Sequence, residues 1–198
     1  TTSLVFPVSI MFLLSACQKQ HQSNISEVSE LTDEGVATSP TGSIKETIKE
    51  VPYNELGYDK GLFTKDKKLF TGTSVRKHSN GKIGGRYQFV DGIYDGIVKE
   101  WYENGKLKQE VNYQNGLAWG LYKQWYPNGQ LSEESYFKMG DKDGLSRQWY
   151  KNGQLKGEEN FKEGKPSGLF KHWYSNGQLM EEVYWLWGLK EGLYRKWY

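Results

Sequence analysis

The chain has 198 residues, a formal net charge of +2 and a mean hydropathy of -0.78, and 15% of its residues are aromatic. It is too polar for one large core and too aromatic for disorder, and so weak a net charge gives no ground for nucleic-acid binding. Cys17 is the only cysteine, which excludes an internal disulfide.

Residues 4–16 form an apolar stretch too short to span a bilayer and of the right size for the hydrophobic region of a signal peptide. It ends in Leu14-Ser15-Ala16-Cys17, which resembles the bacterial lipobox. That resemblance implies cleavage after residue 16 and lipidation of Cys17 as the mature N-terminus, hence a membrane-anchored lipoprotein of the bacterial cell envelope. Residues 17–52 are the expected tether: beyond the cysteine they lack aromatic residues and are rich in Ser, Thr and Glu, a composition that cannot bury a core.

Aromatic residues begin at Tyr53, and residues 53–198 are read as one repeat domain. Gly72, Gly96, Gly120, Gly144, Gly168 and Gly192 recur every 24 residues, with a degenerate first unit near 57 that turns at Asp66-Lys67. Such a period predicts a stack of one small supersecondary unit. Asn80-Gly81, Asn104-Gly105, Asn128-Gly129, Asn152-Gly153 and Asn176-Gly177 each stand between alternating side chains, the pattern of a hairpin with a two-residue type I′ turn. That turn would set Tyr102 opposite Leu107, Lys99 opposite Glu110 and Gly96 opposite Tyr113. It would likewise set Lys123 opposite Glu134, Arg147 opposite Glu158 and Lys171 opposite Glu182, as register-locking charge pairs. Aromatic residues would cover the repeat glycines, as Phe137 on Gly120 and Phe161 on Gly144. The fold class is therefore all-β: an elongated stack of antiparallel hairpins. The unit at 72, with Lys77-His78 in place of Trp-Tyr, reads as a cap.

No nucleophile–base grouping, metal cluster or phosphate-binding loop appears, so neither catalysis nor a cofactor is expected. His172 occupies a phase held by Glu100, Gln124, Gln148 and Lys196, which marks a solvent-facing polar position. The candidate binding face is the ladder Trp101, Trp125, Trp149, Trp173 and Trp197, suited either to packing between hairpins or to contact with a partner. Alternation places Trp and the charge pairs on one face, and Tyr and Leu on the other.

The phrases Glu100-Trp-Tyr-Glu-Asn-Gly-Lys-Leu and Gln124-Trp-Tyr-Pro-Asn-Gly-Gln-Leu resemble the bacterial MORN-repeat variant family, which includes YwqK-type antitoxins of toxin–antitoxin systems. The resemblance covers about residues 57–198 and implies a non-enzymatic hairpin-repeat protein that binds a protein partner, a toxin among the candidates. An immunity or scaffold role at the envelope suits the lipobox. Phospholipid or glycan contact is the alternative, and a structural spacer the third reading.

Overall fold

The computed structural model describes residues 50–198, so the signal-peptide segment, Cys17 and nearly all of the tether lie outside the described residues. Successive hairpins do not pack face to face. They join edge to edge in a single sheet of 15 strands that follows chain order. The unit at 96 shows the pattern. Strand Gly96–Trp101 pairs with Leu107–Gln114, a tight turn leads into Leu117–Ala118, and the chain then bends into Gly120–Trp125, which pairs back on Leu107–Gln114.

The charge and glycine–aromatic pairings stand as the sequence implies. Lys99 faces Glu110, Lys123 faces Glu134, Arg147 faces Glu158 and Lys171 faces Glu182. Gly96, Gly120, Gly144 and Gly168 face Tyr113, Phe137, Phe161 and Trp185. The register slips by one residue at the end of every hairpin, so that Trp101, and not Tyr102, faces Leu107. The cause is the turn. Gly105 N–H donates to the Tyr102 carbonyl at 2.8 Å, and Tyr102 N–H donates to the Lys106 carbonyl at 2.9 Å. Gly105 is left-handed at φ 86° while Asn104 is not. This is a type I turn closed by a glycine bulge, the three-residue hairpin, rather than the expected type I′. Asn104 is used differently: its Oδ1 accepts the Lys106 N–H at 3.0 Å and its Nδ2 donates to the Pro127 carbonyl of the next repeat at 2.9 Å.

Type I′ geometry belongs instead to the second turn of each unit, where two consecutive residues have positive φ. Asn115 and Gly116 stand at 50° and 78°, and Met139 and Gly140 at 53° and 88°. The glycine N–H of this turn reaches back one repeat, as in Gly116 to the Tyr94 carbonyl at 2.8 Å and Gly140 to the Ala118 carbonyl at 2.9 Å.

The largest core lies at the N-terminal end. Phe70, Tyr87, Phe89, Val98, Val111 and Ala118 are buried, with Tyr53, Leu56 and Phe63 packed against them. The degenerate first unit does turn at Asp66-Lys67, between Leu62–Lys65 and Lys68–Leu69, in a separate three-stranded sheet that covers this end. Val51–Pro52 pairs in parallel with Ser74 and Val75, so the sheet also takes in residues 51–52.

Met139 is poorly suited to the second turn, because its side chain gains nothing locally from a left-handed backbone that costs about 1–2 kcal/mol. Its side chain is exposed, so its loss forfeits little packing. Met139→Asn, which installs the residue found at position 115, is expected to stabilise the domain by about 0.5–1 kcal/mol. Urea melts read this directly, and a lower midpoint would contradict the strain argument.

Candidate functional site

Strand alternation divides the side chains between two faces. The outer face carries three rows. The first is aliphatic and aromatic: Ile97, Leu121 and Leu169 are exposed, and so are Tyr136 and Tyr184, which pair with Leu121 and Leu169. The second row is ionic. Lys99 lies 2.8 Å from Glu110, Lys123 3.4 Å from Glu134, Arg147 2.9 Å from Glu158 and Lys171 3.4 Å from Glu182. Pairing between hairpins sets each later base beside a second carboxylate: Lys123 also faces Glu110, Arg147 faces Glu134 and Lys171 faces Glu158. These half-exposed pairs contribute at most about 1 kcal/mol apiece, but they leave the row without net charge.

The third row holds the tryptophans. Trp101, Trp125, Trp149 and Trp173 are half-buried, each facing a leucine across the hairpin: Leu107, Leu131, Leu155 and Leu179. Trp197 is exposed. Leucine therefore joins tryptophan and not tyrosine, contrary to the alternation expected from a type I′ turn. Cations lie over other rings, as Lys151 does over Tyr126 at 5.9 Å and Lys190 over Trp185 at 5.4 Å.

The tyrosine of each Trp-Tyr pair joins repeats together. The Tyr102 hydroxyl donates to the Trp125 carbonyl at 2.7 Å, Tyr126 to Trp149 and Tyr150 to Trp173 at 2.8 Å, and Tyr174 to Trp197 at 3.0 Å. In the atypical unit His78 replaces tyrosine and keeps the contact, its Nε2 lying 2.9 Å from the Trp101 carbonyl. Sequence reading missed this role, although a hydrogen-bonding side chain at a constant offset before each Trp was the available signal.

The inner face carries polar clusters. Arg76, Tyr87 and Lys108 converge on Glu100, with the Tyr87 hydroxyl donating at 2.8 Å. Burial pushes the Tyr87 phenol up from its ordinary value. Further along, the hydroxyls of buried Ser135 and Ser146 meet at 2.7 Å, and Lys142 donates to Glu133 at 2.8 Å. His172 is not the solvent-facing position that its phase suggested. It is clamped, Nε2 against Glu159 Oε1 and Nδ1 against Glu181 Oε1, both at 2.9 Å. Facing Gly157 makes room for the ring, since a Cβ there would lie 2.9 Å from His172 Cδ2. Among the described residues no group of His, Cys, Asp and Glu could hold a metal ion.

Four segments match the MORN repeat variant family. They cover residues 94–115, 120–139, 142–163 and 166–186. No curated protein matches the chain. Each MORN-like segment takes in a Trp-Tyr pair or the strands around it, together with an Asn-Gly turn, so the matched unit is the hairpin itself. The matched family is a repeat module, in agreement with the repeated hairpins of the sheet. The unit at 72, with its His78 contact, lies outside the matched segments.

The His172 clamp has a pH signature. Hydrogen bonding to Glu159, then to Glu181, raises the His172 pKa above its ordinary value, and the bond to His172 lowers that of Glu181. The Tyr194 hydroxyl and Lys190 also face Glu181, and both favour its charged form. A raised histidine pKa contributes stability that is full below about 6.5 and fades as pH rises through the folded value. A depressed glutamate contributes above about 4.3 and loses its contribution as pH falls through the folded value. His172→Gln should therefore lower the melting temperature more at pH ~5.5 than at pH ~8.5. An equal loss at both would remove the imidazolium from the account.

Proposed function

We propose that the MORN-like repeats form a non-enzymatic protein-binding module, antitoxin- or immunity-like, held at the bacterial envelope through a lipidated Cys17. The outer face carries this reading. Exposed Leu121, Leu169, Tyr136 and Tyr184 run beside a charge row that neutralises itself and a row of half-buried tryptophans. A largely apolar strip rimmed by paired charges, with aromatic anchors, suits a protein surface. Anionic phospholipid would call for unpaired cations, and Lys123, Arg147 and Lys171 are already engaged by glutamates. The anchor reading rests on the apolar segment 4–16 and the Leu-Ser-Ala-Cys ending at Cys17.

Proteins cross-linked to the native chain in the envelope and then identified supply the partner for a direct titration. Trp125→Ala and Trp149→Ala should each weaken its binding by more than about 1 kcal/mol. Melting curves run in parallel separate lost binding from lost folding, since truncating a well-packed ring costs about 3–5 kcal/mol. A folded double variant that binds undiminished would make the ladder purely structural. Binding to anionic vesicles that weakens in Lys123→Ala, with a flatter salt dependence, would put phospholipid in place of protein.

Anchoring is tested separately in cells making the chain behind a complete leader. Cys17→Ser should abolish acyl labelling and move the protein from the membrane to the soluble fraction. One acyl chain gives only marginal binding, so stable retention implies more than one. Unchanged labelling would rule out Cys17 as the acceptor.

A further inference from the structure

We infer that the inner face of the repeats is a second binding site, one that takes an unbranched, neutral, β-linked oligosaccharide. The N-terminal aromatic cluster covers this face only as far as Tyr122 and Phe137. Beyond it a cavity of about 300 Å³ opens across the repeats that begin at 96, 120 and 144, lined by Tyr102, Tyr126, Gln124, Gln148 and Ser132 and also by Trp125 and Trp149 of the tryptophan ladder. The two glutamines play no part in the protein-binding reading, so variants at them distinguish this site from the ladder.

The chemistry of the lining selects the ligand class. The side chains of Gln124, Gln148 and Ser132 make no hydrogen bond among the described residues, although neighbouring polar groups do. Amides and hydroxyls both donate and accept, which matches sugar hydroxyls and acetamido groups. Two charged side chains of opposite sign line the cavity: Glu133, paired with Lys142 at 2.8 Å, and Lys156, 6.0 Å from the centre of the Tyr150 ring. A ligand that owes its affinity to a large net charge of one sign finds little complement there.

A peptide strand fits less well. Strand addition needs a free sheet edge, and this cavity lies on a sheet face whose backbone groups are already paired. Spacing adds a further argument. Tyr102 and Tyr126 are two strands apart, about 10 Å at the usual strand separation. That is the length of a disaccharide unit in an extended β-linked chain, so one ligand could meet equivalent side chains in successive repeats. Tyrosine rings held in place by their hydroxyl bonds to Trp125 and Trp149 are pre-ordered for such contact.

Calorimetric titration of the purified chain with cellotetraose and chitotetraose tests the assignment, with maltotetraose, whose α-linkages curl the chain, as the comparison. At least one β-linked tetramer should bind saturably and more tightly than maltotetraose. The Gln124→Ala/Gln148→Ala double variant should bind it about tenfold or more weakly, the loss expected for two hydrogen bonds. Neither glutamine side chain makes a hydrogen bond among the described residues, so that variant should melt close to the parent. The proposal is overturned by failure of both β-linked tetramers to bind, by equal binding of maltotetraose, or by undiminished binding in a folded double variant. Saturable binding of an extended peptide at the same glutamines, with no binding of sugars, would assign the cavity to a protein segment instead.

Discussion

No repeat in this chain satisfies its own backbone. At the end of every hairpin the glycine bulge breaks the regular ladder, and the carbonyl of the tryptophan there is met by a side chain from the preceding repeat: Tyr102 for Trp125, Tyr126 for Trp149. At the opposite end the second-turn glycine donates to a carbonyl one repeat back, as Gly140 does to Ala118. A hydrogen bond contributes about 0.5–1.5 kcal/mol net, so an isolated hairpin would forgo that stabilisation at both ends. Nearest-neighbour coupling of this kind explains why stability is a property of the array. It also explains the cap, where His78 keeps the hydrogen bond while the surrounding sequence departs from the repeat.

Much of the register was legible in the sequence because three kinds of residue reported it together. Lysine and glutamate phases, glycine and aromatic phases, and Asn-Gly positions all agreed on pairings such as Lys123 with Glu134 and Gly120 with Phe137. Turn type was not legible. Asn-Gly serves a type I′ turn and a type I turn with a glycine bulge equally well, and what separates them is the backbone, left-handed at Gly105 but not at Asn104. The error was confined to the last pair of each hairpin, yet it moved leucine to the tryptophan face.

The His172 clamp was hidden for a different reason. Phase alone compares a residue with its equivalents, and those equivalents, Gln124 and Gln148, are half-buried like His172 but make no side-chain hydrogen bond among the described residues. What changes at His172 is its surroundings. Glu159 occupies the phase held by Tyr87, Val111, Ser135 and Val183, and Gly157 the phase held by Gln109, Glu133 and Glu181. A carboxylate in an inward position, beside a glycine that leaves room for a ring, was the available signal. It becomes readable only when both neighbouring strands are placed by the register.

Internal repetition makes the chain its own alignment and separates scaffold from recognition. Positions that link repeats hold one residue type almost throughout: the turn Asn, the Trp-Tyr pair, the repeat glycine. Positions on the faces are freer. On the outer face Asn112, Tyr136, Asn160 and Tyr184 alternate in one phase, while their partners Ile97, Leu121, Leu145 and Leu169 stay aliphatic. On the inner face Val98, Tyr122, Ser146 and Phe170 share a phase with no common chemistry. A scaffold fixed at its hairpin ends tolerates this variation, because the bonds common to successive repeats lie at those ends, while links across a face, such as Tyr87 to Glu100 or His172 to Glu159, are particular to one junction. The outer face keeps a regular apolar strip, as a broad contact surface requires, whereas the inner face differs from one repeat to the next. On the proposed readings, selectivity for a small or linear ligand would fall to the inner side and area for a large partner to the outer.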